Sequence, residues 1–136
     1  MFQLIISEAE MKVFEGLAKI VNVPTENGIE GILSNHAPMA ARIVDGLMSY
    51  EDEQGKRYEM TVSRGYAFVW NNIVTIFVNS VEYLFEIDEK RVKENIEENE
   101  EIIKTSKDKL ELAEAEVRLA KEINRLKALQ RNKSNN

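Results

Sequence analysis

Two patterns of apolar and polar positions divide the chain near residue 87. Before it, short runs rich in β-branched and aromatic residues recur: FQLIIS, KIVNV, YEMTVS, YAFVW and IVTIFV. Such runs fit strands, and the clusters TENG, NHAP, DG, DEQGK and WNN break them at the spacing of an antiparallel sandwich or barrel. In the first run Phe2, Leu4 and Ile6 alternate with Gln3 and Ser7, so one face packs and the other meets solvent or a partner. The pattern predicts an all-β N-terminal domain over residues 1–86, a β-sandwich of nine or ten strands in two sheets.

From Ile87 onward the chain has no glycine, proline or aromatic residue and is dominated by Glu, Lys, Ala, Leu, Arg and Ile, a helical composition. Asp88 suits an N-cap, with Glu89 in the first turn complementing the helix dipole. Val92, Ile96, Asn99 and Ile103 form a narrow seam with one polar member, which carries the first helix to about Lys104. TSKD at 105 to 108 marks a break, with Thr105 or Ser106 as the next cap. The second helix carries Leu112, Leu119, Ile123 and Leu126 on a seam, with Ala113, Val117 and Ala120 beside it. The result is a C-terminal antiparallel two-helix hairpin over residues 87–131, followed by a disordered tail at 132–136. Seams this narrow leave a hairpin marginal by itself. It needs a docking surface, either its own sandwich or another protein, and can exchange one for the other.

Composition narrows the functional classes. The 136 residues hold one domain, or a compact domain with an appendage. No run approaches the roughly 18 to 20 apolar residues of a membrane helix, and MFQLIISEAE lacks the basic region of a signal peptide. A cytoplasmic chain without direct membrane insertion is expected. The absence of cysteine removes thiolate metal sites and thiol nucleophiles, and a single histidine makes a zinc site unexpected. The net charge of -6 argues against nucleic acid as a partner. Residues 1–86 hold six Lys/Arg against twelve Asp/Glu, whereas residues 87–136 hold twelve of each. Within that neutral half, Arg118, Lys121, Arg125, Lys127 and Arg131 face only Glu122, a basic stripe.

Residues 28–38, GIEGILSNHAP, place two glycines, the single histidine and a proline together, which invites a phosphate-cradle or acid-base reading. The partners for either are missing. GIEG is neither GxGxxG nor a P-loop, and a Ser-His pair without a third member is no triad. Tight turns explain the glycines, and a hydrogen bond to neighbouring backbone explains His36. Glu51 and Glu53 lie in the solvated turn EDEQGK, and Met11, Met39, Met48 and Met60 read as core or interface filler. No catalytic residue and no metal ligand set emerges.

The series Leu4, Ser7, Phe14, Gly16, then VNVPTENGIEGILSNHAP, then SRGYAFVWNNIVTIFVNSVE and a two-helix tail resembles the epsilon subunit of bacterial F-type ATP synthase over essentially the whole chain. The most specific residues are Gly28, Gly31, Ile32, Leu33, His36, Ala37 and Pro38, and the stretch from Gly65 to Val69 with Val74 and Thr75 beyond it. Arg64 departs from the pattern, since that family usually shows a second glycine there. The resemblance implies a ten-stranded sandwich and helical hairpin forming a non-catalytic subunit of the central stalk, peripheral on the cytoplasmic face of the cell membrane. It implies that one sheet clasps the gamma subunit, and that Gly28, Glu30, Gly31, Ile32, Leu33, His36, Ala37 and Pro38 form a docking loop for the membrane c-ring. It further implies that Arg118, Lys121, Arg125, Lys127 and Arg131 reach the catalytic beta (and alpha) subunits when the second helix extends, inhibiting ATP hydrolysis.

No cofactor is required by that resemblance, but ATP enters as a regulatory ligand. Residues 87–92 are similar to the Ile/Leu-Asp-x-x-Arg-Ala motif of ATP-binding members, which makes Glu82, Ile87, Asp88, Arg91, Lys121 and Arg125 the candidate residues. Val92 replaces the small alanine of that motif, and Glu98 stands where a further arginine occurs. The rival reading is a ligand- or carbohydrate-binding β-sandwich with a helical oligomerisation tail, which would present exposed aromatics over a concave sheet.

Overall fold

The computed structural model describes residues 1–134, in which the alternation of apolar residues has produced nine strands. They are β1 (Phe2–Glu8), β2 (Met11–Thr25), β3 (Gly28–Ile32), β4 (Met39–Ile43), β5 (Gly46–Asp52), β6 (Arg57–Val62), β7 (Gly65–Trp70), β8 (Ile73–Val78) and β9 (Val81–Tyr83). The resemblance implied ten. KIVNV is not an element of its own but the second half of β2, a strand of 15 residues kept extended by continuous pairing. It pairs with β1 up to Ala18, with β5 from Ala18 to Asn22, and with β3 from Val21 to Thr25. One layer therefore runs β1-β8-β7-β4, the other β5-β6-β9, and β2 belongs to both.

The predicted inward residues pack. Phe2, Leu4 and Ile6 of β1 join Val21, Val23, Ile32, Ile43, Met48, Met60 and Ile76 in a core sealed from solvent. The turn between β7 and β8 places Asn71 at φ 51° and Asn72 at φ 61°, the conformation that two-residue hairpins of this twist require. Gly65 marks a close approach of two backbones: a Cβ there would lie 1.8 Å from the Phe77 carbonyl oxygen. Beside the core, Phe14, Tyr50, Tyr58 and Tyr83 form an aromatic cluster, with centroids 4.6 Å apart for Phe14 and Tyr50 and 5.1 Å for Tyr50 and Tyr58.

The helices form a second unit, Leu84–Asn136, separate from Met1–Tyr83. The boundary falls three residues before the expected one, because the 3-10 turn Leu84–Glu86 leads directly into the helices through a hydrogen bond from the Ile87 N–H to the Leu84 carbonyl. Asp88 caps α1 (Glu89–Thr105), its carboxylate accepting from the Lys90 and Arg91 N–H groups. The restart differs from expectation. Thr105 spends its hydroxyl on the Glu101 carbonyl within α1, and Asp108 instead caps α2 (Lys109–Ser134) by accepting from the Leu110 N–H at 3.0 Å. With no glycine or proline to stop it, α2 continues through residues 132 to 134, where a disordered tail was expected. Residues 135 and 136 lie outside the described residues.

Tyr50 generates a test of the aromatic cluster. Its hydroxyl exchanges a 2.8 Å hydrogen bond with that of Tyr83, and burial, reinforced by this bond, pushes the Tyr50 phenol far above its ordinary range. Above about pH 10, where an unfolded tyrosine ionises, the unfolded chain binds fewer protons than the folded one, so stability falls as pH rises. Tyr50→Phe should lower stability by about 1 kcal/mol at neutral pH. In urea titrations it should also flatten the alkaline loss of stability, and an unchanged slope above pH 10 would refute this assignment.

Candidate functional site

The stretch GIEGILSNHAP is half strand and half loop. Gly28–Ile32 pairs with β2 through Val21 to Thr25, and the chain reaches it by a turn that leaves Gly28 at φ +106°, a conformation open to glycine. Strand pairing alternates its side chains, which corrects one expected docking residue: Ile32 is 0% exposed and belongs to the core. Its neighbours Ile29 and Leu33 are 62% and 58% exposed, and Ile29 is an exposed apolar residue of this stretch that the sequence did not single out. Strand alternation from Ile32 was the signal that could have found it.

The loop from Leu33 to Pro38 is tied at both ends of its turn. His36 Nδ1 donates to the Ala37 carbonyl at 2.7 Å, and its Nε2 lies 3.5 Å from the Glu30 carboxylate, an ion pair when the ring is protonated. Asn72 accepts the Asn35 N–H at 2.8 Å and donates to the Met1 carbonyl at 2.9 Å, joining the loop to the β7–β8 turn and the first strand. Gly31, Ala37 and Pro38 are exposed and Glu30 is half-buried. The loop is a braced corner with an apolar rim. Among the described residues, no three His, Cys, Asp or Glu side chains converge to hold a metal ion, and no helix is long and apolar enough to cross a membrane.

A larger surface lies on the outer face of β7 and β8. Val69, Val74 and Val78 point into the core, so strand alternation turns Tyr66, Phe68, Trp70, Ile73 and Phe77 outward. Register places Tyr66 opposite Phe77 and Trp70 opposite Ile73, and the Phe68 ring stands edge-on to Phe77 with centroids 6.2 Å apart. Trp70 is 71% exposed. A contiguous aromatic face of this kind marks an interaction surface on a single chain.

In the hairpin the inner seam of α2 runs through Leu112, Ala115, Leu119, Glu122 and Leu126, at spacings of three and four. Ala115 and Ala128 are buried, whereas Val117 and Ile123, expected inside, are exposed. Beside the buried Val92 of α1, small and polar residues thus share the interior. Arg118 Nε donates to Oδ1 of the buried Asn99 at 3.0 Å, and Asn99 Nδ2 donates to the Asn95 carbonyl. Glu122 is buried as well; one carboxylate oxygen accepts from Arg125, and the other has no hydrogen-bond partner among the described residues.

These residues line a cavity of about 350 Å³ together with Lys121, Glu98 and Ile102. The structure therefore brings Arg118, Lys121 and Arg125 of the basic stripe onto the α1-facing side and leaves Lys127 and Arg131 exposed on the outside. Of the candidate ATP residues, Lys121 and Arg125 share the cavity. Arg91 is not among its lining residues, the Asp88 carboxylate serves as the helix cap next to Ile87, and Glu82 lies on β9 in the other unit.

Known proteins agree with both units. The profile of the family described as ATP synthase, Delta/Epsilon chain, beta-sandwich domain matches residues 1–84. An ATP synthase epsilon chain of Stenotrophomonas maltophilia is 32% identical over 126 residues, covering 93% of this chain and 90% of the relative. One of Xanthomonas euvesicatoria pv. vesicatoria is 32% identical over 96% of this chain and 93% of the relative. A chain in the Euglena gracilis mitochondrial ATP synthase structure, OSCP/F1/c-ring in rotational state 1, shares the fold with a TM-score of 0.68 at 22% identity, covering 85% of this chain and 73% of that one. A chain from the Tetrahymena thermophila mitochondrial ATP synthase central stalk and c-ring has a TM-score of 0.54 at 14% identity, with 93% and 95% covered. Because the profile spans the β unit and the relatives extend through both helices, the chain belongs to the ATP synthase epsilon chain family.

Proposed function

We propose that this chain is the non-catalytic rotor subunit that couples the gamma subunit to the membrane c-ring, held peripherally at the cytoplasmic face of the cell membrane. The observation that carries this reading is the exposed aromatic face of Tyr66, Phe68, Trp70, Ile73 and Phe77, which a stalk partner would cover. The braced corner bearing Ile29, Leu33 and His36 serves the ring contact, since turns fixed by side-chain hydrogen bonds hold their shape under load. Exposed aromatics would also suit a carbohydrate platform, but the family match through both helices favours the stalk.

The hairpin restrains hydrolysis in this reading. Closed, it engages Arg118 with Asn99 and Arg125 with Glu122. Opening frees Arg118 from Asn99 of α1 and, with the Arg125–Glu122 pair kept inside α2, turns Arg118, Lys121 and Arg125, beside Lys127 and Arg131, toward acidic loops of the catalytic beta and alpha subunits. Closure and inhibition therefore exclude each other. ATP is the proposed regulatory ligand of the closed form, drawn by Arg118, Lys121 and Arg125 and opposed by Glu98 and Glu122 in the same wall.

Three measurements test these assignments. Affinity purification from native membranes should recover gamma and ring subunits with the wild-type chain. The pair Phe68→Ser and Trp70→Ser should lose gamma, while Ile29→Asp with Leu33→Asp should retain gamma and lose the ring; full retention by both pairs would discard the docking scheme. Replacing Arg118, Lys121, Arg125, Lys127 and Arg131 by Gln should raise ATP hydrolysis by the assembled enzyme and weaken its salt dependence. Unchanged hydrolysis would reduce the stripe to a solvated surface. Titration calorimetry of the isolated chain with Mg-ATP should give heat that Arg125→Ala abolishes, and no heat at millimolar nucleotide would remove ATP from the scheme.

A further inference from the structure

A groove of about 570 Å³ opens at one end of the aromatic face, lined by Arg42, Arg64, Tyr66 and Phe77 with Ala9 and Asn79 at its margin. Strand register builds it. Arg42 of β4 stands opposite Tyr66 of β7, and Tyr66 stands opposite Phe77 of β8, so one outward row carries a guanidinium beside two rings. Arg64 enters from the turn before β7. Its backbone N–H donates to Asp45 Oδ1 at 2.8 Å, which anchors the residue while leaving its side chain exposed.

The charges of these two arginines are unanswered among the described residues. In the same unit Lys12 pairs with Glu15, Arg57 pairs with Glu59, and Lys56 lies over the Tyr58 ring. Arg42 and Arg64 have no ion-pair or hydrogen-bond partner for their guanidiniums among the described residues. Their position is unusual for a segment whose 86 residues carry six Lys/Arg against twelve Asp/Glu. Two like charges converging on one concavity repel each other until an anion enters. A guanidinium fork matches a carboxylate in two parallel hydrogen bonds, and rings alongside favour an occupant whose charge sits on an apolar stem. The acidic remainder of the unit repels a polyanion far more strongly than a single acidic side chain, whose one charge the two arginines outweigh.

We infer that the groove of Arg42, Arg64, Tyr66 and Phe77 receives an Asp or Glu side chain of the stalk partner, fixing the register in which the partner lies across the aromatic face. The inference rests on the reading that this face binds gamma. Aromatic burial supplies adhesion there, and the arginine pair selects one alignment.

The test measures gamma binding by the full-length chain at low and high salt. The variant with Arg42→Gln and Arg64→Gln should keep its thermal midpoint, since both side chains are exposed. It should bind gamma roughly ten- to hundredfold more weakly, with a flatter salt dependence. A scan reversing gamma's acidic residues to Lys should find a position whose loss is rescued by Arg64→Glu. Wild-type affinity and salt dependence in the Gln variant, alongside lost binding by Phe68→Ser with Trp70→Ser, would overturn the groove while leaving the docking face intact. Undiminished binding by both variants would overturn the docking face, and the groove with it.

Discussion

The β unit depends on β2 serving two layers at once. At Ala18 the strand pairs with Phe2 on one side and Asp52 on the other, and the residue is fully buried there. Beyond that crossing, the same strand holds β3 along its length and touches β4 through Thr25 and Ile43. The loop from Leu33 to Pro38 is strung between β3 and β4, so its position follows from the far end of β2. The corner is thus suspended from the most extensively paired element of the sandwich, which sets its position, while the hydrogen bonds of His36 and Asn72 set its shape.

The hairpin is built on a contrary principle. The sandwich buries large aliphatic side chains such as Ile6, Ile43 and Ile76, whereas the seam between the helices buries Val92 and Ala115 beside the polar Asn99 and Glu122. A buried polar pair such as Asn99 with Arg118 fixes helix register better than it adds stability, because desolvation offsets most of the attraction. Meanwhile Leu110, Val117 and Ile123 remain outside. The helices therefore meet through few large apolar contacts and leave apolar surface exposed.

What could be read in advance divides along physical lines. The alternation of Phe2, Leu4 and Ile6, the asparagine turn and the Asp88 cap are local effects, and each appears as the residues indicate. The aromatic face was not legible, because β7 and β8 are apolar on both sides. Nothing in YAFVW says that Val69 is covered and Phe68 is not until the second layer is in place. The α2 seam failed for a related reason: counting aliphatic residues selects Val117 and Ile123, whereas close helix approach selects Ala115 and tolerates Glu122. Ile32 was assigned to docking by its place in a motif, and the pleat of β3 sent it inward.

The unpartnered oxygen of Glu122 has a consequence in time. A buried acceptor without a donor is destabilised where it sits, and any separation of the helices hydrates it, so opening requires less free energy than the apolar contact alone would indicate. The amides of α1 and α2 are then expected to exchange with solvent sooner than those of β1 and β8, which pair through Ile6 and Ile76 in the core. One chain then carries two clocks, the faster in its helices and the slower in its sheet.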